Sequence, residues 1–189
     1  FSSRCTEPFR LFWRAGGSLE SLPLPADFLN FYSLQGNVAS LSTDGSVIVQ
    51  SYQVQRTTTS GFEWNTLRWT DGTLEVVEQL PNGSVGLYTA RAASATGQVL
   101  AGDGLVGSSR IEAVRYDGSA TFLGVEGSSA GITPDGTTIV GQEADRPLVG
   151  DFVYAPFRWK DGTAQRLGYV DPAASGRTGN GAISVSRDG

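Results

Sequence analysis

The sequence predicts an all-β fold, a β-propeller of four-stranded antiparallel blades running through about four repeats, and three observations predict it. An aromatic residue leads into a glycine-containing turn four times, at Trp13, Trp69, Tyr116 and Trp159, with turn glycines Gly17, Gly72, Gly118 and Gly162. Each is followed 16 to 28 residues later by a second signal: Leu41-Ser42-Thr43-Asp44-Gly45, Ala93-Ser94-Ala95-Thr96-Gly97, Ile132-Thr133-Pro134-Asp135-Gly136 and Val185-Ser186-Arg187-Asp188-Gly189. The steps between aromatics, 56, 47 and 43 residues, suit a four-stranded blade with variable loops better than the shorter coils of a β-helix. Helical repeats are excluded, because no segment sustains a 3.6-residue apolar period and Gly, Thr, Ser and Val are too frequent.

The second copy is the cleanest and justifies the elements in order. Thr66-Leu67-Arg68-Trp69 places strand formers on alternating faces, Thr70-Asp71-Gly72 turns the chain, and Thr73-Leu74-Glu75-Val76-Val77 returns as a strand. Asp-Gly suits such a turn because glycine accepts positive φ and aspartate tolerates the left-handed region. After Pro81-Asn82-Gly83 comes the small-residue segment 90–94, the turn at Thr96-Gly97, and the aliphatic run Gln98-Val99-Leu100-Ala101. Ser46-Val47-Ile48-Val49 and Thr137-Thr138-Ile139-Val140 repeat that ending. The copies fall near 9–50, 65–103, 111–142 and 155–189, and residues 1–189 read as one repeat domain.

The recurring aromatics read as plugs between neighbouring blades, with ligand stacking as the alternative; a repeat core needs the same plug at each interface. Five residues beyond the turn glycines stand Leu22, Val77, Leu123 and Leu167. Seven of the eleven aspartates precede glycine: Asp44, Asp71, Asp103, Asp117, Asp135, Asp161 and Asp188. Their recurrence makes turn chemistry the expectation for all seven. Calcium is the sharper alternative, but calcium loops carry several oxygen ligands at close alternating spacing, which isolated Asp-Gly pairs lack.

Composition narrows function. The chain has 189 residues, 39% hydrophobic, with 25 glycines, and carries a formal charge of −5 with a single lysine, Lys160, so the basic footprint of nucleic-acid binding is missing. No stretch approaches the roughly 20 apolar residues that span a bilayer as a helix. Cys5 is the only cysteine, which excludes an internal disulfide; a small, partly buried residue is the bland reading and a bridge to another segment the alternative. With no histidine, Ser-His-Asp and Cys-His sites and His-ligated zinc are excluded within this chain. No glycine-rich loop opens a helix to cradle phosphate.

Phe157-Arg158-Trp159-Lys160-Asp161-Gly162 with Leu167-Gly168, and Leu123-Gly124 with the run 132–141, resemble the HAF-type extracellular repeat family. The similarity covers nearly the whole chain. It departs at the tripeptide that names the family, where Asn65-Thr66-Leu67, Glu112-Ala113-Val114 and Ala155-Pro156-Phe157 stand. The resemblance implies a secreted or surface-exposed bacterial protein with a propeller-like fold and no shared activity.

The copies do not fill a cycle. The chain reads as part of a longer propeller; the competing reading has residues 1–10 supply the closing strand of a four-bladed ring, and a partner chain covering the open edge is a third arrangement. Chemistry is expected where the copies differ. Three such segments stand out: Asp27-Phe28-Leu29-Asn30-Phe31-Tyr32, residues 52–64 with Arg56, Phe62, Glu63 and Trp64, and residues 143–154 with Asp145, Arg146 and Asp151. The loop 171–177 is small and polar. Rings beside carboxylates fit a sugar, but an edge cover with solvated charges is the reading preferred. A glycoside hydrolase would draw two carboxylates from Glu63, Glu143, Asp145 and Asp151, whose separation no spacing fixes.

The expectation is a non-catalytic extracellular or cell-surface module presenting loops to a protein or glycan partner, with no cofactor, no metal and no catalytic residue assigned. A carbohydrate-active propeller enzyme and a structural subunit of an extracellular assembly are the alternatives.

Overall fold

The computed structural model describes residues 12–15, 18–32, 40–42, 45–56, 62–81, 84–106, 110–145, 153–167 and 185–186. Among them all regular structure is strand, and every strand pairing is antiparallel. β1 (Phe12–Ala15) and β2 (Ser18–Ser21) form a hairpin. A five-stranded sheet follows: β3 (Phe28–Tyr32), β4 (Ser40–Leu41), β5 (Val47–Arg56), β6 (Phe62–Thr70) and β7 (Thr73–Pro81). β4 pairs with the start of β5 and β3 with its end, so the two share one strand's place.

The remaining strands make a seven-stranded meander: β8 (Gly86–Ala93), β9 (Leu100–Val106), β10 (Arg110–Tyr116), β11 (Ala120–Ile132), β12 (Thr138–Asp145), β13 (Val153–Lys160) and β14 (Thr163–Arg166). Long β11 serves two partners, pairing with β10 over 120–126 and with β12 over 127–132. The hairpin β1–β2 is thus followed by three successive four-strand meanders: β3/β4 to β7, β8 to the first half of β11, and the second half of β11 to β14. Trp69, Tyr116 and Trp159 lie on the third strands β6, β10 and β13, and the second signals at 41–45, 93–97 and 132–136 lie between the first and second strands of the three meanders. The sequence repeats are therefore offset from the sheets by half a meander.

Three apolar clusters sit at the seams. Leu22 joins Ile48, Tyr52, Val54, Leu67 and Trp69 ahead of the first meander. Val47 and Val49 meet Leu87, Leu100, Val114 and Tyr116 between the first and second. Ala101, Ala113, Leu123 and Val125 meet Ile139 and Phe157 between the second and third, with Trp159 packed against them. The expected plugs are in place for three of the four aromatics. Trp69 is 1% exposed and its Nε1 donates to the Pro23 carbonyl at 2.8 Å; the Tyr116 hydroxyl donates to the Val77 carbonyl at 2.9 Å. Each ring buries its body in the seam while its polar tip satisfies backbone just after the preceding hairpin or on the preceding meander's outer strand. The Trp13 side chain lies outside the described residues. Leu22, Val77 and Leu123 supply the apolar partners, whereas Leu167, at the same position of the third meander, is exposed.

The second sequence signal has a local cause. The side-chain oxygens of Ser42, Ser94 and Thr133 accept the amides of Val47, Val99 and Thr138 at 2.9, 3.1 and 2.9 Å, while their carbonyls accept the amides of Gly45, Gly97 and Gly136. Gly97 and Gly136 have φ of 67° and 74°, and a Cβ there would fall 2.4 Å from Val47 Cγ1 and 2.9 Å from Val99 Cβ, residues of the preceding meander. These turns stack as well as turn. Arg68 and Arg115 clamp the same junctions by donating to the carbonyls of Gly97 and Gly136. Asp71-Gly72 and Asp161-Gly162 have positive φ at both residues, the hairpin geometry that Asp-Gly favours.

Candidate binding surface

In an antiparallel meander the first and third turns fall at one end, and the second turn and the link to the next meander fall at the other. The turns at 94–97, 133–136, 71–72, 117–119 and 161–162 therefore share one end, built from Gly, Ser, Thr and Asp with Ala95 and Pro134. The opposite end, hereafter the loop end, receives the ends of β5, β9 and β12 and the starts of β6, β8, β10 and β13. All three segments that break the repeat arrive there. β3 pairs along the last residues of β5, Phe28 opposite Arg56 and Tyr32 opposite Gln53. Phe62, Glu63 and Trp64 open β6, and residues 143–145 and 153–154 close β12 and open β13. Side chains of 28–32, Arg56, Arg146, Asp145 and Asp151, the loop 171–177, residues 1–10 and Cys5 lie outside the described residues.

Apolar side chains stand exposed at this end: Phe62 at 37%, Val85 at 58% and Ile111 at 52%. The Trp64 and Tyr88 rings lie 4.8 Å apart and inclined at 54°, joining the first meander to the second. The carboxylates here are engaged. Glu63 is buried and accepts Gln79 Nε2 at 2.9 Å. Glu78 accepts the Leu87 amide at 2.9 Å; burial raises its pKa, and that hydrogen bond opposes the rise. Glu112 is buried against Arg110, and Glu143 is held by Arg166 at 2.9 Å.

Of the four carboxylates expected for a hydrolase, the Asp145 and Asp151 side chains lie outside the described residues, and the two described ones do not form a pair. Glu63 belongs to the first meander and Glu143 to the third, with a whole meander between them. Packed sheets stand about 10 Å apart, which puts the two on the order of 15–20 Å from each other. A glycosidase pair needs at most about 9.5 Å. No group of three or more candidate metal-ligating side chains occurs among the described residues, and no helix long and apolar enough to cross a membrane occurs among them.

One expectation is corrected. The following Gly104 makes Asp103 resemble the turn aspartates, but it lies mid-strand on β9, opposite Ala113 and Thr89, and is 6% exposed. It occupies the place that Ser51 holds on β5, six residues after the turn glycine. At the first seam the Ser51 hydroxyl accepts the Ala90 amide of the next meander at 2.8 Å and bonds Thr66 Oγ1 at 2.8 Å. At the second seam a carboxylate takes that role. Arg91 Nε donates to Asp103 Oδ2 at 2.6 Å. Burial pushes the Asp103 pKa up to about 6 despite Arg91, the Ser128 hydroxyl and the Ser129 amide, which all favour the charged form. Oδ1 closes no hydrogen bond among the described residues. The sequence held one usable signal: in the aligned copies Ser51 and Gln142 stand where a turn residue would have to be Gly, Asn or Asp.

No protein-family model matches the chain, and no curated protein sequence matches it. Among solved structures, TolB from Acinetobacter baumannii superimposes with a TM-score of 0.54 at 18% identity, covering 92% of this chain and 39% of that one. A putative TolB from Agrobacterium tumefaciens gives 0.48 at 13% identity, covering 80% and 50%, and an oligogalacturonate lyase in complex with manganese gives 0.40 at 14%, covering 76% and 47%. The last two are too distant to carry an argument. The chain spans about two-fifths of the first structure's length, and that likeness concerns the fold: this is an all-β, β-propeller-like module.

Proposed function

We propose that the chain is a non-catalytic module of HAF-type repeats, secreted or displayed at the cell surface, that binds a protein or glycan partner through its loop end. The observation that carries this reading is the segregation of regular and irregular sequence to opposite ends. One end repeats the same Gly-centred turn, and the other gathers the three unrepeated segments with exposed Phe62, Val85 and Ile111. Exposed apolar groups rimmed by polar ones mark interaction surfaces. The carboxylates nearby serve structure: Glu63 is tied to Gln79 and Glu143 to Arg166.

The test is a glycan array and a reducing-sugar assay run on the same preparation, beside the double variant Phe62→Ala/Ile111→Ala. Binding without turnover, weakened tenfold or more in the double variant, supports the module with a glycan partner. Sugar release that disappears with Glu63→Gln refutes the non-catalytic reading and restores the carbohydrate-active enzyme. Stable co-purification with another chain, lost in the double variant, assigns a protein partner; if the double variant does not disturb it, the module is a structural subunit held by other surfaces.

A further inference from the structure

We propose that the loop-end mouth of the seam between the second and third meanders is a docking site for an aromatic side chain of a protein partner, one with a hydrogen-bond donor at its tip, as tyrosine has. The inference rests on the reading of the loop end as the binding surface and names what that surface holds.

The two seams close differently at this end. At the first, Trp64 of β6 meets Tyr88 of β8 with ring centroids 4.8 Å apart, and Leu87 beside it is 1% exposed. The strand registers give the matching places at the second. Ile111 stands on β10 five residues before Tyr116, as Trp64 stands on β6 five before Trp69. Leu87 pairs with Gly104 and Gly127 with Glu143, and both partners lie seven residues after a turn glycine, so Gly127 takes the place of Leu87. Tyr88 is the extra residue of a bulge that β11 does not repeat at Gly127–Ser129. One aliphatic chain and a glycine thus stand where the first seam has Trp, Leu and Tyr.

The place stays open. Ile111 is 52% exposed beside half-buried Leu105, its partner on β9, and strand alternation puts both on the face of Ala113 and Ala101, which belong to the second seam. A Cβ on Gly127 would lie 2.1 Å from the Gln142 carbonyl oxygen, so β11 does not tolerate a side chain there to fill the mouth.

Beneath the mouth lie polar atoms that the first seam does not leave idle. There Ser51 Oγ bonds both the Ala90 amide and Thr66. At the second seam Asp103 and Ser129 hold the places of Ser51 and Ala90, and Asp103 Oδ1 and Ser129 Oγ close no hydrogen bond among the described residues, at 6% and 0% exposure. Asp103 stands two residues inward of Leu105 and Ser129 two inward of Gly127, a depth of about 6.8 Å that a phenol or indole side chain spans. A buried carboxylate oxygen without a partner is costly, and a donor arriving at it recovers that cost. Trp69 and Tyr116 already work this way inside the fold, burying a ring in a seam and spending its one donor on a carbonyl. Aromatic anchors of this kind dominate protein interfaces. A sugar fits less well: Leu105 and Ile111 give it no ring to stack on.

The experiment is NMR titration of the whole chain with N-acetyl-tyrosinamide, N-acetyl-phenylalaninamide and methyl β-glucoside. Tyrosinamide is expected to bind at least fivefold more tightly than the other two, with the largest shifts at the amides of Leu105, Ile111, Gly127 and Ser129. Two variants restore first-seam residues and are checked for folding by denaturant midpoint. Ile111→Trp fills the mouth and should weaken tyrosinamide at least tenfold; Asp103→Ser should keep ring binding and erase the preference for tyrosine over phenylalanine. Equal binding of the two amides, shifts centred elsewhere, undiminished binding to folded Ile111→Trp, or glucoside binding as tightly at the same amides would each overturn the proposal. Partner capture that is lost in Phe62→Ala/Ile111→Ala, with no tyrosinamide preference in the wild type, overturns the ring site and leaves the loop surface standing.

Discussion

Replacing Asp103 by Asn removes the one strongly shifted acid of the seam and should change the pH dependence of stability in a defined direction. The carboxyl titrates at an ordinary 3.8 when exposed and about 6 in the fold. The folded state therefore holds the proton more tightly than the unfolded chain, and between those values it carries more protons. Stability contributed by the protonated group is fully present below 3.8 and is lost as pH rises through about 6. At 1.36 kcal/mol for each tenfold change in proton affinity, the interval amounts to about 3 kcal/mol. Asn has no such titration. Urea unfolding followed by the fluorescence of the seam tryptophans Trp69 and Trp159, at about pH 3.5, 5 and 7, should show the variant gaining on the wild type by up to about 3 kcal/mol across that range. Parallel profiles, or a wild type that gains on the variant with rising pH, would refute the assignment of desolvation as the dominant influence on Asp103.

Other perturbations test the seams and turns. Trp69→Phe and Tyr116→Phe each remove one hydrogen bond across a seam and should cost about 1 kcal/mol, read by denaturant midpoint, while Trp69→Ala should cost about 3–5 kcal/mol because nothing refills the seam. Gly97→Ala and Gly45→Ala share a positive φ, but only the first drives its Cβ into Val47; Gly45→Ala should cost about 1–2 kcal/mol and Gly97→Ala clearly more, and equal costs would show that these turns do not stack. Ser94→Ala removes the acceptor for the Val99 amide and should cost about 1 kcal/mol, visible as faster hydrogen exchange at that amide.

Recurrence made the architecture legible. Trp69, Tyr116 and Trp159 repeat because each seam needs one large ring, and Ser42, Ser94 and Thr133 repeat because each first hairpin closes through the same side-chain acceptor. These are local and nearest-neighbour requirements, and chain order records them directly. The turn reading of Asp71 and Asp161 holds for the same reason: a two-residue hairpin with positive φ at both positions imposes its own residue choice.

Asp103 marks the limit. As a dipeptide it is indistinguishable from the turn aspartates, and only the pairing of β9 with β8 and β10 shows it buried beside Arg91. The half-meander offset and the two-way pairing of β11 were likewise hidden, since which strands share hydrogen bonds depends on partners distant in the chain. Glu63 and Glu143 were plausible partners by composition, and the sheet order set a whole meander between them. The sequence by itself determined an all-β repeat with plugged seams and Gly-centred turns, because those demands are short in range. The tertiary structure decided which loops share an end, which acids lie buried and which arginine each of them meets, because burial and charge pairing belong to the space between strands.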